Sequence, residues 1–327
     1  MAVYTEVNDE ELTAFVASYG HGRLLSFKGI AEGVENTNYL VHTERGPFIL
    51  TLYEKRVALD DLPFFLGLME HLAAAGISCP LPVRDADGAV LRELAGRPAA
   101  MVTFLEGVWP RRPTPSHCAE LGAALAKLHL AGRNFPMRRE NALGLGGWRP
   151  LFQRFASRAD EIQPGLTRLI EDELAQLEGH WPAKLEEGVI HADLFPDNVF
   201  FIGDKLSGVI DFYFACTDAL IYDVAVCLNA WCFEPDNSFN VTKGRALLKS
   251  YAAVRKIPEK EAKALPMLAR GAALRFLLTR AYDWINTPPG ALVKRKDPLE
   301  YLRKLRFHQS VENARGYGLE PTRSKEA

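Results

Sequence analysis

The sequence has no marked excess of either charge. Its 327 residues carry 39 lysines and arginines against 41 aspartates and glutamates, a net charge of −2, so the basic surplus that marks nucleic-acid binders is missing. No apolar run approaches the ~18 residues of a membrane span. The first residues, MAVYTEVNDEEL, are acidic and lack the basic and apolar regions of a signal peptide. Cysteine is scarce. Cys79, Cys118, Cys216, Cys227 and Cys232 are odd in number and scattered, which argues against a disulfide framework and for reduced thiols in a cytoplasm. Cys227 and Cys232 lie among Val226, Leu228 and Trp231 and read as buried and inert. Internal repeats and low-complexity tracts are missing too. What remains is a globular composition, long enough for two lobes if about 150 residues make one. The expected partners are a small molecule, with no nucleic acid and no membrane, and the expected state is a cytoplasmic monomer or homodimer.

What is present is concentrated in GVIHADLFPDNVFFIGDKLSGVIDF, residues 188–212. Val189-Ile190, Val199 to Ile202 and Val209-Ile210 read as short strands, with a tight turn at Gly203-Asp204-Lys205. His191, Asp193, Asp197, Asn198 and Asp211 therefore fall in a loop or at strand ends, on rigid support. The residue types suit one chemistry. An amide oxygen from Asn198 and a carboxylate from Asp211 are ligands that Mg²⁺ takes beside phosphate. Asp193 is left to receive or orient a hydroxyl proton. His191-Ala192-Asp193-Leu194, three residues, then Asn198 fits the H-x-D-L-x-x-x-N pattern of kinase-type catalytic loops. The plain alternative is a hairpin whose Asp and Asn residues cap turns. A zinc reading of His191 and Asp193 lacks further ligands at the usual spacing.

Along the chain, Asn8 caps a helix over residues 8–19 with Leu12, Phe15, Val16 and Tyr19 on one face. Three strands follow. The first turn, with Gly29, Gly33, Asn36 and Asn38, is Gly-rich enough for backbone N–H groups to approach phosphate, though an ordinary glycine hairpin looks the same. Residues 59–75 form an amphipathic helix bearing Glu70, and residues 80–105 give further strand pairs around Asp87-Gly88, ending in the apolar run Met101 to Leu105. The Pro-rich PRRPTP suggests a division into residues 1–105 and 106–327. After it come helices: 116–131 with a Ser116 cap and a packed or capping His129, 148–179 broken at Pro164-Gly165, a buried helix at 219–233 carrying Asp223, and helices near 241–254, 259–286 and 297–313. Arg270, Arg275 and Arg280 either line a substrate-facing side or form a solvated face.

These residues together resemble the aminoglycoside phosphotransferase/choline kinase group. Within it, FKGIAEGVENTNYLV, GPFILTLYEKR, DLPFFLGLMEHL and IYDVAVCLNAWC are similar to the homoserine kinases built on this kinase-like fold. The resemblance covers nearly the whole chain. It implies an α+β, bilobal protein kinase-like fold: a small antiparallel β N-lobe with one main helix that binds nucleotide, and a larger, mostly helical C-lobe for catalysis and substrate. It implies ATP and Mg²⁺ as cofactors and L-homoserine as substrate. It casts Asp193 as the catalytic residue, Asn198 and Asp211 as metal ligands, and His191 and Asp223 as supports of the loop. Gly33, Val34, Glu35 and Asn36 would cover the phosphates, and Met101, Val102, Thr103 and Phe104 would meet adenine. Asp218, Asn229, Trp231 and Arg275 are candidates for the acceptor.

One departure from the family stands out. Where relatives place a strand Lys or Arg to pair with the helix acid, here Glu70, this chain has Thr51. Lys55 is four residues on, about 13 Å along a strand, and Arg56 follows it, so neither takes over from the same place. Other acceptors compatible with the group are choline, ethanolamine, methylthioribose and an aminoglycoside. A non-catalytic kinase-like binding module is the rival from another class.

Overall fold

A computed structural model describes residues 5–30, 36–54, 58–287 and 295–320. The chain divides into two compact units. One runs to Gly107 and takes back Ser207–Tyr213; the other holds Val108–Leu206 and the chain from Phe214. A single cut after residue 105 does not anticipate that return. It depends on bonds remote in sequence: Val209 N–H donates to Ser78 O at 2.9 Å, and the Ser207 hydroxyl donates to Glu106 O at 2.7 Å.

In the first unit, α1 (Asp9–Ala17) starts where the Asn8 side chain accepts the Glu11 N–H, and Asp9, Glu10 and Glu11 face the positive end of the helix dipole. β1 (Leu24–Ile30), β2 (Thr37–Thr43) and β3 (Gly46–Leu52) follow, then α2 (Leu62–Ala74), β4 (Arg92–Leu94) and β5 (Arg97–Thr103). The strands form one sheet in the order β1-β2-β3-β5-β4, antiparallel throughout. Alternation along β2 and β3 sends Val41, Leu50 and Leu52 into a core with Leu12, Phe15 and Val16 of α1 and Met101 of β5.

Two details differ from the expected pattern. The β4–β5 pair turns at Ala95-Gly96, both at positive φ. The Asp87-Gly88 turn lies before it and is built on Asp85 Oδ1, which accepts the Asp87 and Ala89 N–H groups. Met101 and Val102 are buried, but the strand ends at Thr103 and Phe104 is 39% exposed.

The second unit opens with α3 (Pro115–Ala131). Its cap is Thr114 rather than Ser116, in a reciprocal capping box with His117. Pro115 explains the shift, since its fixed φ and missing N–H suit the first helical position. α4 (Leu145–Gln153) and α5 (Leu166–His180) are separated as expected, with Gly165 at φ 81 turning the chain into α5. β6 (Glu187–Ile190) and β7 (Val199–Ile202) flank the polar loop. Gly203, at φ 59, turns the chain from β7 towards β8 (Lys205–Val209). β9 (Cys216–Ala219) pairs antiparallel with β6, Val189 opposite Thr217. The rest is helical: α6 (Leu220–Trp231), α7 (Val241–Val254), α8 (Glu259–Asn286) and α9 (Pro298–Gln309). Every residue of α6 except Ala230 is buried. The chain is thus α+β, with a five-stranded antiparallel sheet in one unit and a mostly helical second unit. Among the described residues no helix is long and apolar enough to cross a membrane.

Helices α3 and α7 approach so closely that a Cβ on Gly122 would lie 2.2 Å from Leu247 O and 3.1 Å from Tyr251 N. Backbone cannot yield as a side-chain tip can. Gly122→Ala should destabilise the protein by about 1–3 kcal/mol, as overpacking does. Gly146→Ala, with nothing within 4 Å, should be neutral or stabilising by roughly 0.5–1 kcal/mol, as in a helix interior. Urea denaturation of the two variants checks this, and equal midpoints would refute the close approach.

Candidate active site

β6 delivers the chain into His191-Ala192-Asp193, and the loop is held from several sides. Ala192 sits at φ 63, a conformation that costs a non-glycine residue about 1–3 kcal/mol and persists only when its surroundings fix it. Here they do. Asp223 of α6 accepts the His191 N–H at 2.7 Å through Oδ2 and the Ala192 N–H at 2.9 Å through Oδ1. On the other side Arg275 of α8 donates to Ala192 O. The Asp193 N–H points to His191 Nδ1 at 3.3 Å, so that nitrogen is an acceptor and the ring proton lies on Nε2. Asn198 Nδ2 donates to Asp193 O at 2.8 Å. The backbone of Asp193 is thereby fixed, while its carboxylate is 20% exposed, with Oδ1 3.9 Å from Arg275 Nη2.

Asp223 is fully buried. Burial opposes its ionisation, but the hydrogen bonds it receives from the His129 side chain and the His191 N–H hold its carboxyl below the usual 3.8. His129 of α3 is also fully buried, with Nε2 3.3 Å from Asp223 Oδ2. A buried Asp and a buried His on two apolar helix faces are thus each other's partners.

Asn198 and Asp211 are the residues expected to offer oxygens to a hard cation, and each is described in its own unit. Only the amide NH₂ of Asn198 can face the Asp193 carbonyl, so its Oδ1 is turned the other way, available to a cation. Asp211 lies two residues past the end of β8, at φ 65. Both donors are of the kind Mg²⁺ takes, and the residues fit that ion. Among the described residues no group of three or more His, Cys, Asp or Glu is arranged to hold a metal.

Of the four acceptor candidates, two are committed to the core. Asn229 donates to Ala225 O and Ala269 O at 3.0 and 3.1 Å, and its Oδ1 faces His308 Nε2 at 3.1 Å. Trp231 donates to Leu194 O at 2.8 Å. With relative exposures of 0% and 1%, both are structural residues, and the acceptor roles expected for them are withdrawn. Asp218 and Arg275 remain. Burial raises the Asp218 carboxyl, and Asn141 Nδ2 donates to it at 2.7 Å. Arg275 is held over the Phe276 ring at 4.6 Å. Burial pushes the Cys216 thiol up to about 12, and Arg275, Asp218, Asp223 and Arg139 act on it as charged neighbours. Arg270 and Arg280 belong elsewhere, paired with Glu173 and Glu300. Asn141 was not singled out in the sequence; its only signal there is a polar residue before the N-terminus of a helix.

Of the residues expected in the first unit, Gly33, Val34 and Glu35 lie outside the described residues, as do Lys55 and Arg56. Asn36 is buried and its Oδ1 accepts the Glu54 N–H at 3.2 Å. Met101 O and Thr103 N are taken by Val83 and Leu81 in backbone hydrogen bonds, because β5 is an interior strand. Those two groups are closed to adenine. Thr51 is buried and donates to Asn38 Oδ1 at 2.8 Å. Glu70 pairs with Arg84 at 2.5 Å, so the helix acid has a partner other than a strand cation.

Asp223→Asn leaves one loop N–H facing an amide NH₂ and should cost about 1–3 kcal/mol, the price of a buried unsatisfied donor. The sign of the pH effect follows from the lowered pKa. Asp223 contributes stability above its unfolded value near 3.8, and that stability is lost as pH falls through the folded value. The variant should therefore flatten the acid limb of a stability–pH curve; an unchanged limb in denaturation experiments would contradict the assignment.

Residues 26–257 match the phosphotransferase enzyme family. Two curated relatives, each called homoserine kinase, come from Bradyrhizobium diazoefficiens and Xanthobacter autotrophicus. Both are 68% identical and match 98% of this chain and 99% of their own length. Among solved structures, amicoumacin kinase hAmiN in complex with AMP-PNP, Ca²⁺ and Ami superposes with a TM-score of 0.67 over 93% of each chain at 16% identity, a likeness of fold. From its sequence match over most of its length, the chain belongs to the phosphotransferase enzyme family.

Proposed function

We infer that the chain is an ATP-dependent homoserine kinase, which phosphorylates the side-chain hydroxyl of L-homoserine to give O-phospho-L-homoserine and ADP in threonine biosynthesis. The observation that carries the substrate is the 68% identity, along 98% of the chain, to curated homoserine kinases. The reaction needs the hydroxyl oxygen to bond to the γ-phosphorus as the bridging P–O bond to ADP breaks. Phosphoryl transfer asks the protein for positioning and charge neutralisation rather than covalent chemistry.

In this reading Asp193 orients the hydroxyl and takes its proton, on a backbone fixed by Asp223, Arg275 and Asn198. Asn198 and Asp211 hold Mg²⁺, which when bound neutralises phosphate charge. With Thr51 in place of a strand cation, the remaining phosphate charge falls to the stretch Gly33 to Asn36. Adenine is left to the chain beyond Thr103, where Phe104 is exposed. Asp218 receives the ammonium of the acceptor, and Arg275 keeps the Asp193 carboxylate turned towards the hydroxyl. The nucleotide lobe ends near residue 105, and the enzyme works in the cytoplasm.

ADP release with Mg-ATP, measured across L-homoserine, choline, ethanolamine, methylthioribose and an aminoglycoside, tests the reading. Turnover with L-homoserine alone is expected. Turnover with another alcohol would keep the kinase and discard the substrate, and Mg-ATP binding without turnover would favour a binding module. Asp193→Asn should lower kcat by roughly 10²–10⁴, the general acid–base range; near-wild-type turnover would remove Asp193 from that role.

A further inference from the structure

The buried pair of Asp223 and His129 does not end at His129. Its Nδ1 lies 2.8 Å from the Tyr251 hydroxyl of α7, and Arg255 Nη1 lies 3.1 Å beyond on the same oxygen. Arg255, one turn after Tyr251, is 4% exposed and gripped by Glu261 through two hydrogen bonds, at 2.8 and 2.6 Å, and by Glu186 at 2.7 Å. A continuous run of polar contacts therefore leads from Glu186 and Glu261, through Arg255, Tyr251, His129 and Asp223, to the two N–H groups of the catalytic loop.

The chemistry of each group sets the direction of this run. A guanidinium has donors only, so the Tyr251 oxygen accepts from Arg255 and its own O–H needs another acceptor. Among the described residues the one placed to take it is His129 Nδ1. If Nδ1 carried a proton, the Tyr251 O–H would be left without an acceptor in a buried site, at a cost of about 1–3 kcal/mol. Nδ1 is therefore bare and Nε2 carries the proton, which is what the carboxylate of Asp223 requires from a partner at 3.3 Å. With the other tautomer, a ring lone pair would confront the carboxylate, and the acceptor that holds the His191 and Ala192 N–H groups would be pushed away.

We propose that Tyr251 and Arg255 are positioning residues for phosphoryl transfer: Arg255 sets the direction of the Tyr251 hydroxyl, which sets the tautomer of His129 and so fixes Asp223 under the catalytic loop. The effect on turnover rests on the kinase reading above; the tautomer does not.

The test uses the full chain with isotope-labelled histidine nitrogens, assigned by ring-to-backbone correlations. In the wild type, His129 is expected to show an unprotonated Nδ1 and a protonated Nε2. Tyr251→Phe keeps the ring and removes the O–H. It should turn the His129 signals into a tautomer mixture and lower kcat roughly 10–100-fold, as loss of an outer hydrogen-bond partner does. KM for ATP and for the acceptor should stay within about twofold, because ground-state binding is untouched. Two protonated nitrogens in the wild type, or a proton on Nδ1, would overturn the proposal whether or not the variant folds. So would a Tyr251→Phe protein that loses thermal stability but keeps its kcat. If the wild type shows the expected tautomer yet does not phosphorylate homoserine, the substrate reading falls and the assignment of His129 stands.

Discussion

The carboxylate of Asp223 is the point on which the loop His191–Asp193 depends. Two consecutive N–H groups, on residues that include one at positive φ, converge on its two oxygens. A chain bending through an unfavourable conformation needs such a clamp, since a single hydrogen bond contributes only about 0.5–1.5 kcal/mol net, less than the strain can cost. Because the clamp is ionised and fully buried, it needs compensation in turn, and His129 provides it. The apolar surroundings of α6 then protect the arrangement from water, which would otherwise compete for the same oxygens. Burial and charge oppose each other here, and the hydrogen bonds decide the outcome.

The loop's other supports have a common logic. Each takes hold of the backbone: His191 Nδ1 accepts the Asp193 N–H and Asn198 donates to the Asp193 carbonyl, while Arg275 donates to the carbonyl one residue earlier. The main chain that carries the carboxylate is thus held at three points. Arg275 also forms a long ion pair with it, Nη2 lying 3.9 Å from Oδ1.

Much of this was legible in the sequence, for identifiable reasons. Helices were placed to within a residue or two: α1 from its Asn8 cap, first-turn acids and apolar spacing, and α7 and α8 likewise in their bounds. The loop between β6 and β7 was placed because apolar strand runs flank its polar residues on both sides. What could not be read depends on contacts distant in the chain. Ser207–Tyr213 joins the first unit through bonds to Ser78 and Glu106, and the four residues of β9 have no period to betray a strand. Asn229 and Trp231 illustrate a different limit. A polar atom on a buried helix face looks the same in sequence whether a ligand or the core satisfies it, and only the positions of Ala269, His308 and Leu194 tell the two apart.

Thr51 carries a consequence for chemical probing. Nucleotide analogues that bear an acylating group at the phosphate end label kinase-like proteins through a strand amine, forming an amide. Position 51 instead carries a buried hydroxyl whose proton is already given to Asn38, a poor nucleophile. Profiling methods built on that amine would pass over this position, and an inhibitor designed to react there would gain nothing from its warhead.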